Sequence, residues 1–285
     1  MISSSIRNPR PVTIKHPSFR PCPCCGSVKS RVRFIEPPFF IVRCAECSLV
    51  FLGNPPDNSA AVDAYHDDPE PDARLYRADS PDPFLSAVHA MNETRILMIR
   101  SIKSGGALLD VGCGRGYFAK TASDRGFAAS GIDLSEKAVK YASGQLGVNA
   151  ETFGLKTLRQ KGRTFDVITL WHSLEHFEDP VGTLKTIRSL LADGGLCLIE
   201  VPNLHSLKFI LSRGKWEGGN HPLYHRTFFT GTTLRMVLEE AGFSGIRRIL
   251  LNCPVSGRSR VVSAVKCELN RLGLDSFLDF ISLKK

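Results

Sequence analysis

The sequence lacks any long apolar run. No stretch approaches the roughly 20 consecutive apolar residues that a helix needs to cross a bilayer, and residues 1–21, MISSSIRNPRPVTIKHPSFRP, contain no apolar segment. A secretory signal is therefore not predicted, and we expect a cytoplasmic protein without a transmembrane segment. With 42% hydrophobic residues and a mean hydropathy of −0.06, the composition excludes collagen-like, disordered and multi-span membrane classes. The 285 residues allow one large domain, or a medium domain and a small module.

Acidic residues are few in residues 1–53, which contain two acids and eight Lys/Arg. Residues 54–82, in contrast, contain eight acids and two Arg. The whole chain carries a formal charge of +9. Basic clusters attract phosphate, so a nucleic-acid partner is one interpretation of this charge, and a solvated basic surface is the other. The acidic, proline-rich segment 54–89 is predicted to be a linker.

Cysteine is concentrated near the N-terminus, since five of nine lie between residues 22 and 47. Two C-x-x-C pairs are separated by eighteen residues, a spacing typical of two facing zinc knuckles. Each turn presents two thiolates, and two turns complete a tetrahedron. Short strands on either side of Pro37-Pro38 predict a hairpin, so residues 1–53 are interpreted as a tail and a zinc ribbon. Cys24 is then either a bystander or a competitor of Cys22 or Cys25 for a ligand position. Disulfides or unrelated thiols are the alternatives, and a cytosolic location disfavours disulfides. The predicted ligands of structural Zn²⁺ are Cys22, Cys25, Cys44 and Cys47.

From about residue 90 apolar strands alternate with helical patterns, which predicts an α/β fold with a parallel sheet. A short strand over 108–111 runs directly into the turn GCGRG at 112–116. Glycines there allow a sharp strand-to-helix bend and a close approach of backbone to ligand. Asp133 follows at the tip of the next strand, where a carboxylate can accept the hydroxyls of a ribose. A dehydrogenase is the alternative, but the glycine spacing does not suit a pyrophosphate.

Successive motifs extend this pattern: LLDVGCGRGYFA, GIDLSEKAV, FDVITLWHSLEHFEDP and LLADGGLCLIEVPN. Together they resemble the motifs of class I S-adenosylmethionine-dependent methyltransferases, especially the small-molecule and sugar branch, over roughly residues 90–251. The resemblance implies a Rossmann-like, seven-stranded, mostly parallel sheet whose last strand is antiparallel, in a domain spanning 90–285. The opening CPCCGS…CAECSLVFL resembles the metal-ribbon extension of some bacterial members.

The resemblance also implies how S-adenosylmethionine is held. The glycine turn would line its methionine part, Asp133 would hold the ribose and Leu134 would pack on the adenine. Family members often carry an acid after the third strand, whereas Leu155 stands there in this chain, so the adenine contacts depart from the family pattern. The predicted cofactor contacts are Asp110, Gly112, Gly114, Gly116, Asp133, Leu134, Phe153 and Trp171.

The segment His172-Ser-Leu-Glu175-His176 allows three interpretations. It matches an inverted zinc-peptidase signature, but it follows a strand directly. Some relatives hold a divalent ion with ExxEH here, so His172, Glu175 and His176, with His221 or His225, are candidate ligands. In the third interpretation Glu175 and His176 satisfy local backbone groups and His172 faces the substrate.

Methyl transfer needs alignment of acceptor and methyl group, and a hydroxyl acceptor must also lose its proton. A histidine of near-neutral pKa is the natural base. His172 is the first candidate because it lies at a strand tip, and His225 and His221 are the second.

The sequence therefore predicts a methyltransferase that carries a zinc ribbon and O-methylates a small molecule or a sugar or glycan intermediate. An RNA methyltransferase that grips phosphates with the basic ribbon and tails is one alternative, and a catalytically silent cofactor-binding module is another. Apolar faces over 203–224 and 253–275 predict helices that cover the acceptor or form a homodimer, or that pack on the domain.

Overall fold

The computed structural model describes residues 19–56, 83–152, 154–212, 224–249, 272 and 276–284. Its strands are β1 Ser30–Glu36, β2 Phe39–Cys44, β3 Val50–Leu52, β4 Gly106–Val111, β5 Phe127–Ile132, β6 Asn149–Glu151, β7 Phe165–Trp171, β8 Leu191–Pro202, β9 Thr227–Phe228, β10 Ser244–Arg248 and β11 Phe277–Leu283. Its helices are α1 Pro83–Arg100, α2 Tyr117–Asp124, α3 Glu136–Leu146, α4 Leu155–Gln160, α5 Pro180–Leu190, α6 Leu207–Leu211 and α7 Gly231–Glu240, with a 3-10 turn at Leu174–His176.

The larger sheet has seven strands in the order β10-β11-β8-β7-β4-β5-β6. Strands β4 to β8 run parallel, and β11 lies antiparallel between β8 and β10. The predicted seven-stranded, mostly parallel sheet with an antiparallel last strand is confirmed. The order reverses between β4 and β7, and ligands of such sheets bind outside the carboxyl ends of the strands at that point.

Local sequence explains why the helices begin where they do. Ser135 caps α3 by accepting from the amide of Ala138, and Thr230 forms a capping box with Thr233 at the start of α7. The central strands are mostly apolar, as is usual where helices cover both faces of a parallel sheet. Leu109 and Ile168 on neighbouring strands are accordingly buried.

A second sheet of four strands has the order β1-β2-β3-β9. Its first two strands pair on either side of the turn at residues 37–38, as the hairpin prediction required. Its fourth strand, β9, comes from the part of the chain assigned to the methyltransferase domain. The ribbon and that domain therefore share a sheet and a hydrophobic core.

Several predicted boundaries differ from the structure. Helix α1 begins at Pro83, so the last residues of the predicted linker 54–89 are helical. Of the predicted helix over 203–224, the described part is the short α6. In the 253–275 segment only Leu272 lies within the described residues, and it is exposed.

Candidate active site

The glycine turn after β4 is shaped by close packing on one side and open space on the other. Gly112, Gly114 and Gly116 all have positive φ, at +73°, +52° and +79°, a region that residues with a Cβ rarely occupy. A Cβ on Gly112 would lie 2.4 Å from Oγ of Ser173. A Cβ on Gly114 would meet no atom within 4 Å among the described residues. The turn therefore presents bare backbone to a ligand beside Gly114.

Asp133 stands at the carboxyl end of β5 and is tied to this turn. Its Oδ2 accepts from the amide of Gly114 at 2.8 Å, and its Oδ1 accepts from the amide of Ser135 at 2.8 Å. A carboxylate has about four acceptor positions, so two backbone bonds leave positions for ribose hydroxyls. The structure brings together the two features, glycine turn and acid, that the sequence placed nineteen residues apart (114 to 133).

Asp110 lies at the base of the turn and is 3% exposed. Burial raises the pKa of its carboxyl to about 7, although the side chain accepts a hydrogen bond from Thr169 at 2.8 Å. A neutral or partly ionised Asp110 at pH 7 is therefore a hydrogen-bond donor as well as an acceptor toward the predicted methionine part of the cofactor.

The remaining predicted cofactor contacts are distributed around the same end of the sheet. Leu134 follows Asp133 and is 61% exposed, which leaves it open to pack on a flat ring. Trp171 ends β7 and packs edge-to-face on Phe118, with ring centroids 5.1 Å apart. Phe153 lies outside the described residues. Leu155 is buried at the start of α4, so its side chain is taken up by packing.

His172 follows β7 with φ +53°, in a conformation that is uncommon for a residue with a Cβ. Its Nε2 lies 2.7 Å from Oε1 of Glu200, and its Nδ1 lies 3.8 Å from Oε1 of Glu175. Burial disfavours the charged ring, but these two carboxylates outweigh it and raise the pKa of His172 to about 9. A pKa of about 9 makes His172 mainly a cation at pH 7, whereas a general base works best with a pKa near neutrality.

Glu200 belongs to a buried charge network that sequence reasoning missed. It is 1% exposed and pairs with Arg95 of α1, itself 3% exposed. The guanidinium of Arg95 also lies 4.3 Å from the ring centroid of Trp171, a cation–π arrangement. The sequence contains one indication of this network, which is the single acid Glu200 within the apolar run LCLIEVP. Charged residues are seldom buried unless paired, so such an acid predicts a partner.

Glu175, His176 and His225 form a second cluster, in which one ligand atom of each lies within 4.8 Å of the others. The rings of His176 and His225 have centroids 4.9 Å apart, and Nδ1 of His176 lies 3.1 Å from the carbonyl oxygen of Tyr224. Glu175 is 1% exposed, and its Oε2 has no hydrogen-bond partner among the described residues. Burial would raise the pKa of Glu175, but the facing histidines lower it. His172 contacts Glu175 without belonging to this cluster, and His221 lies outside the described residues.

A small cleft lies beside this cluster, and its cavity of about 10 Å³ has room for about one water molecule. Its polar side includes Glu175, Asn203 and His225, and its apolar side includes Phe209 and Phe228. An apolar lining with a few convergent polar groups is the usual form of a small-molecule site. We therefore take it as the candidate acceptor cleft, which an acceptor has to widen on binding.

The four cysteines of the two C-x-x-C pairs converge at the base of the ribbon. Their Sγ atoms all lie within 4.8 Å of one another, with Cys22 and Cys47 at 3.5 Å and Cys25 and Cys44 at 3.5 Å. Zinc–sulfur bonds of about 2.3 Å in a tetrahedron place sulfur atoms about 3.8 Å apart, so the set fits zinc. The amide of Cys47 also donates to Sγ of Cys44, an outer contact that supports a thiolate ligand.

This chain resembles known proteins in sequence and in fold. A family model described as a methyltransferase domain matches residues 86–247. A ubiquinone biosynthesis O-methyltransferase of Thiobacillus denitrificans is 29% identical over 140 residues, which are 46% of this chain and 60% of that protein. Its counterpart in Idiomarina loihiensis is 30% identical over 141 residues, which are 46% of this chain and 58% of that protein. The chain thus spans about 60% of the length of these curated relatives.

Two solved structures share the architecture. Magnesium protoporphyrin IX methyltransferase from Synechocystis PCC 6803 with bound SAH has a TM-score of 0.54 at 16% identity, covering 81% of this chain and 100% of that chain. A plantazolicin methyltransferase in complex with SAH has a TM-score of 0.52 at 19% identity, covering 79% and 94%. At these identities the likeness shows the fold.

The strand order and the glycine turn define a Rossmann-like methyltransferase fold of class I. With the family model matching more than half of its residues, the chain belongs to the S-adenosylmethionine-dependent methyltransferases. Across the part of the chain that the structure describes, no helix combines the length and apolar character required to span a membrane.

Proposed function

We propose that this protein transfers the methyl group of S-adenosylmethionine to an oxygen of a small-molecule acceptor. The observation that carries the proposal is the bond from the Gly114 amide to Asp133 at 2.8 Å, beside a turn with open space over Gly114. The relatives named as ubiquinone biosynthesis O-methyltransferases support oxygen as the acceptor atom. A sugar or glycan acceptor has no support among them and stays a prediction.

The residues present fit the cofactor. The bare backbone at 112–116 admits the methionine part, the acceptor positions left on Asp133 suit a ribose diol, and exposed Leu134 offers an apolar surface to adenine. When bound, the cofactor supplies an electrophilic methyl group on a cationic sulfur. The protein then has to align the acceptor oxygen in line with the sulfur–methyl bond, which is the main catalytic contribution in such a displacement.

The two histidines near the cleft take different roles in this proposal. His172 is held as a cation by Glu200 and Glu175, so it is a poor base at neutral pH, and both of its N–H groups face carboxylates. His225 lines the cleft and is the better candidate to take the hydroxyl proton. With the cofactor bound, its methyl group would pass to the acceptor oxygen and the bonding electron pair would stay on its sulfur. The imidazole of His225 would hold the proton that the hydroxyl loses.

A second candidate arrangement is favoured by Glu175, His176 and His225. Their ligand atoms lie within 4.8 Å of one another, and the buried Oε2 of Glu175 has no hydrogen-bond partner among the described residues. Mixed imidazole and carboxylate ligands suit a divalent transition metal. Such an ion would orient adjacent oxygens of the acceptor, and His225 would then be a ligand instead of a base.

One experiment separates these possibilities. The zinc-loaded chain is incubated with methyl-labelled S-adenosylmethionine and a panel of catechols, phenolic acids and sugar nucleotides, with and without Mn²⁺ in the buffer. We expect a methylated oxygen, with His225→Asn lowering the rate at least about a hundredfold, as loss of a general base does. A requirement for added Mn²⁺ would favour the metal arrangement. Methylation of RNA or of a nitrogen acceptor would contradict the proposal.

A further inference from the structure

Strand β9 is held on two sides, by the ribbon and by the candidate active site. On the ribbon side Val50 pairs with Phe228 and Phe51 pairs with Thr227, and the amide of Leu52 donates to the carbonyl oxygen of Arg226 at 2.9 Å. On the other side the amide of Arg226 donates to the carbonyl oxygen of Glu175 at 2.7 Å. The residue before Arg226 is His225, so both sides determine where that imidazole lies.

Arg20, at the start of the ribbon, donates hydrogen bonds to three carbonyl oxygens around β9. Its Nε donates to the carbonyl oxygen of Leu52 at 2.9 Å, and its Nη1 donates to that of Glu178 at 2.9 Å. Its Nη2 reaches the carbonyl oxygen of Arg226 at 3.3 Å. One side chain thus joins β3, the segment after the 3-10 turn and the residue before β9. Such charge-assisted bonds are stronger than neutral ones.

The ribbon also supports the apolar wall of the cleft. Three of its buried side chains pack in one cluster with three residues that line the cleft. Phe34 of β1 also packs edge-to-face on Phe209, with ring centroids 6.0 Å apart. Removing that support would take away three of the buried packing partners of the aromatic wall, and tight packing is what holds side chains in one arrangement. The cluster comprises Ile41, Val50, Leu52, Leu204, Phe209 and Phe228.

The cysteine cluster lies at the other end of the same strands. Cys44 ends β2, and its amide donates to the carbonyl oxygen of Leu49 at 2.9 Å just before β3 begins. A ribbon of this size buries little apolar surface by itself, so a bound metal supplies much of its folding free energy. The metal is therefore connected to β9 through β2 and β3.

We propose that the cysteine ribbon is a structural part of the acceptor cleft, in which the metal holds β2 and β3, β3 holds β9, and β9 places His225 and Phe228. This inference rests on the proposed function for the identity of the cleft. It makes the ribbon a positioning element of the methyl-acceptor side. The cofactor side, built on β4 and β5, shares side-chain packing with the ribbon but no strand pairing among the described residues.

Hydrogen exchange measured by mass spectrometry tests the connection without an acceptor. The zinc-loaded full chain is compared with Cys25→Ser/Cys47→Ser, which replaces ligands that are exposed or half-buried, and with Cys24→Ser as the matched control. After metal loss we expect exchange in 224–230 to rise at least about tenfold, as in local unfolding. Exchange in 127–132 of β5, and the affinity for S-adenosylhomocysteine, should change less than about threefold.

Two results would overturn the proposal. One is faster hydrogen exchange in the ribbon peptide 39–52 with unchanged exchange in 224–230, because the ribbon would then be a separate module. The other is an equal rise in 127–132 with lost S-adenosylhomocysteine binding, because the metal would then stabilise the whole fold. An Arg20→Met variant removes the three hydrogen bonds of Arg20 and leaves every cysteine in place. It should retain zinc and still raise exchange in 224–230, and unchanged exchange there would also contradict the proposal. Failure of the wild-type chain to bind S-adenosylhomocysteine would refute the proposed function instead.

Discussion

The imidazole of His172 lies with its Nε2 2.7 Å from Oε1 of Glu200. Glu200 is buried in β8 and also pairs with Arg95, so the same carboxylate joins helix α1 to the residue at the tip of β7. Burial of that carboxylate would raise its pKa, but the two cations lower it. The candidate active site is thus supported by a buried network of alternating charges, in which each ion has an opposite partner.

Replacing Glu200 by glutamine should lower the pKa of His172 from about 9 toward the ordinary histidine value near 6.5. Since the folded pKa lies above the unfolded one, the charged ring stabilises the fold below pH 6.5, and that stability is lost as the pH rises through about 9. NMR titration of the His172 ring signals in wild type and Glu200→Gln measures the difference. Glu178→Gln is the control, and a wild-type His172 that titrates near 6.5 would contradict the network.

Asp110→Asn should stabilise the protein above pH 7. Burial raises the pKa of Asp110 to about 7 from 3.8, so the free energy of unfolding falls as the pH rises from about 4 to about 7 and levels off above that. We expect the variant to gain about 2–4 kcal/mol at pH 8 and nothing below about pH 4, where both states are protonated. Chemical denaturation at the two pH values measures this.

The control variant, Asp166→Asn, should change the stability at pH 8 in the opposite direction. Asp166 accepts from the amide of Ala107 and from Lys103, and these bonds lower its pKa. Asp166→Asn should therefore destabilise the protein at pH 8, and this loss should shrink as the pH falls through the lowered pKa. Equal behaviour of Asp110→Asn and Asp166→Asn would show that burial does not set the pKa of Asp110.

The sequence was sufficient for the parts of the fold that depend on local pattern. The strand, glycine turn, helix and acid around Gly114 and Asp133 follow from spacing, because backbone conformation dictates glycine there. Paired C-x-x-C turns likewise predict the cysteine cluster. The pairing of β9 with the ribbon and the burial of Arg95 depend on contacts between residues distant in the chain, and periodicity carries no information about them. The same holds for the pKa of His172, which depends on Glu200.

Gly112→Ala should destabilise the fold and weaken cofactor binding. Its φ of +73° is unfavourable for alanine by about 1–2 kcal/mol, and the new Cβ would lie 2.4 Å from Oγ of Ser173. Gly144→Ala in α3 is the matched control, because a Cβ there meets nothing within 4 Å among the described residues. It should gain about 0.5–1 kcal/mol, the usual benefit of alanine within a helix. Thermal denaturation compares the two, and equal melting temperatures would contradict the turn geometry.

Purified protein should contain one zinc ion per chain, and Cys25→Ser/Cys47→Ser should contain none. The double variant should melt at a lower temperature, because metal binding contributes to folding of the ribbon. Elemental analysis and calorimetric melting measure both quantities, with Cys24→Ser expected to match the wild type. A zinc-free preparation with an unchanged melting temperature would show that the cysteines are not a metal site.

Titration calorimetry with S-adenosylhomocysteine measures the proposed cofactor site without an acceptor and without turnover. We expect one site per chain and an affinity that falls at least about tenfold in Asp133→Asn, where an amide replaces one of the carboxylate acceptors. The neighbouring Glu136→Gln, at the exposed start of α3, should bind as the wild type does. An absence of binding heat in the wild type, or equal affinities in Asp133→Asn and wild type, would contradict the account.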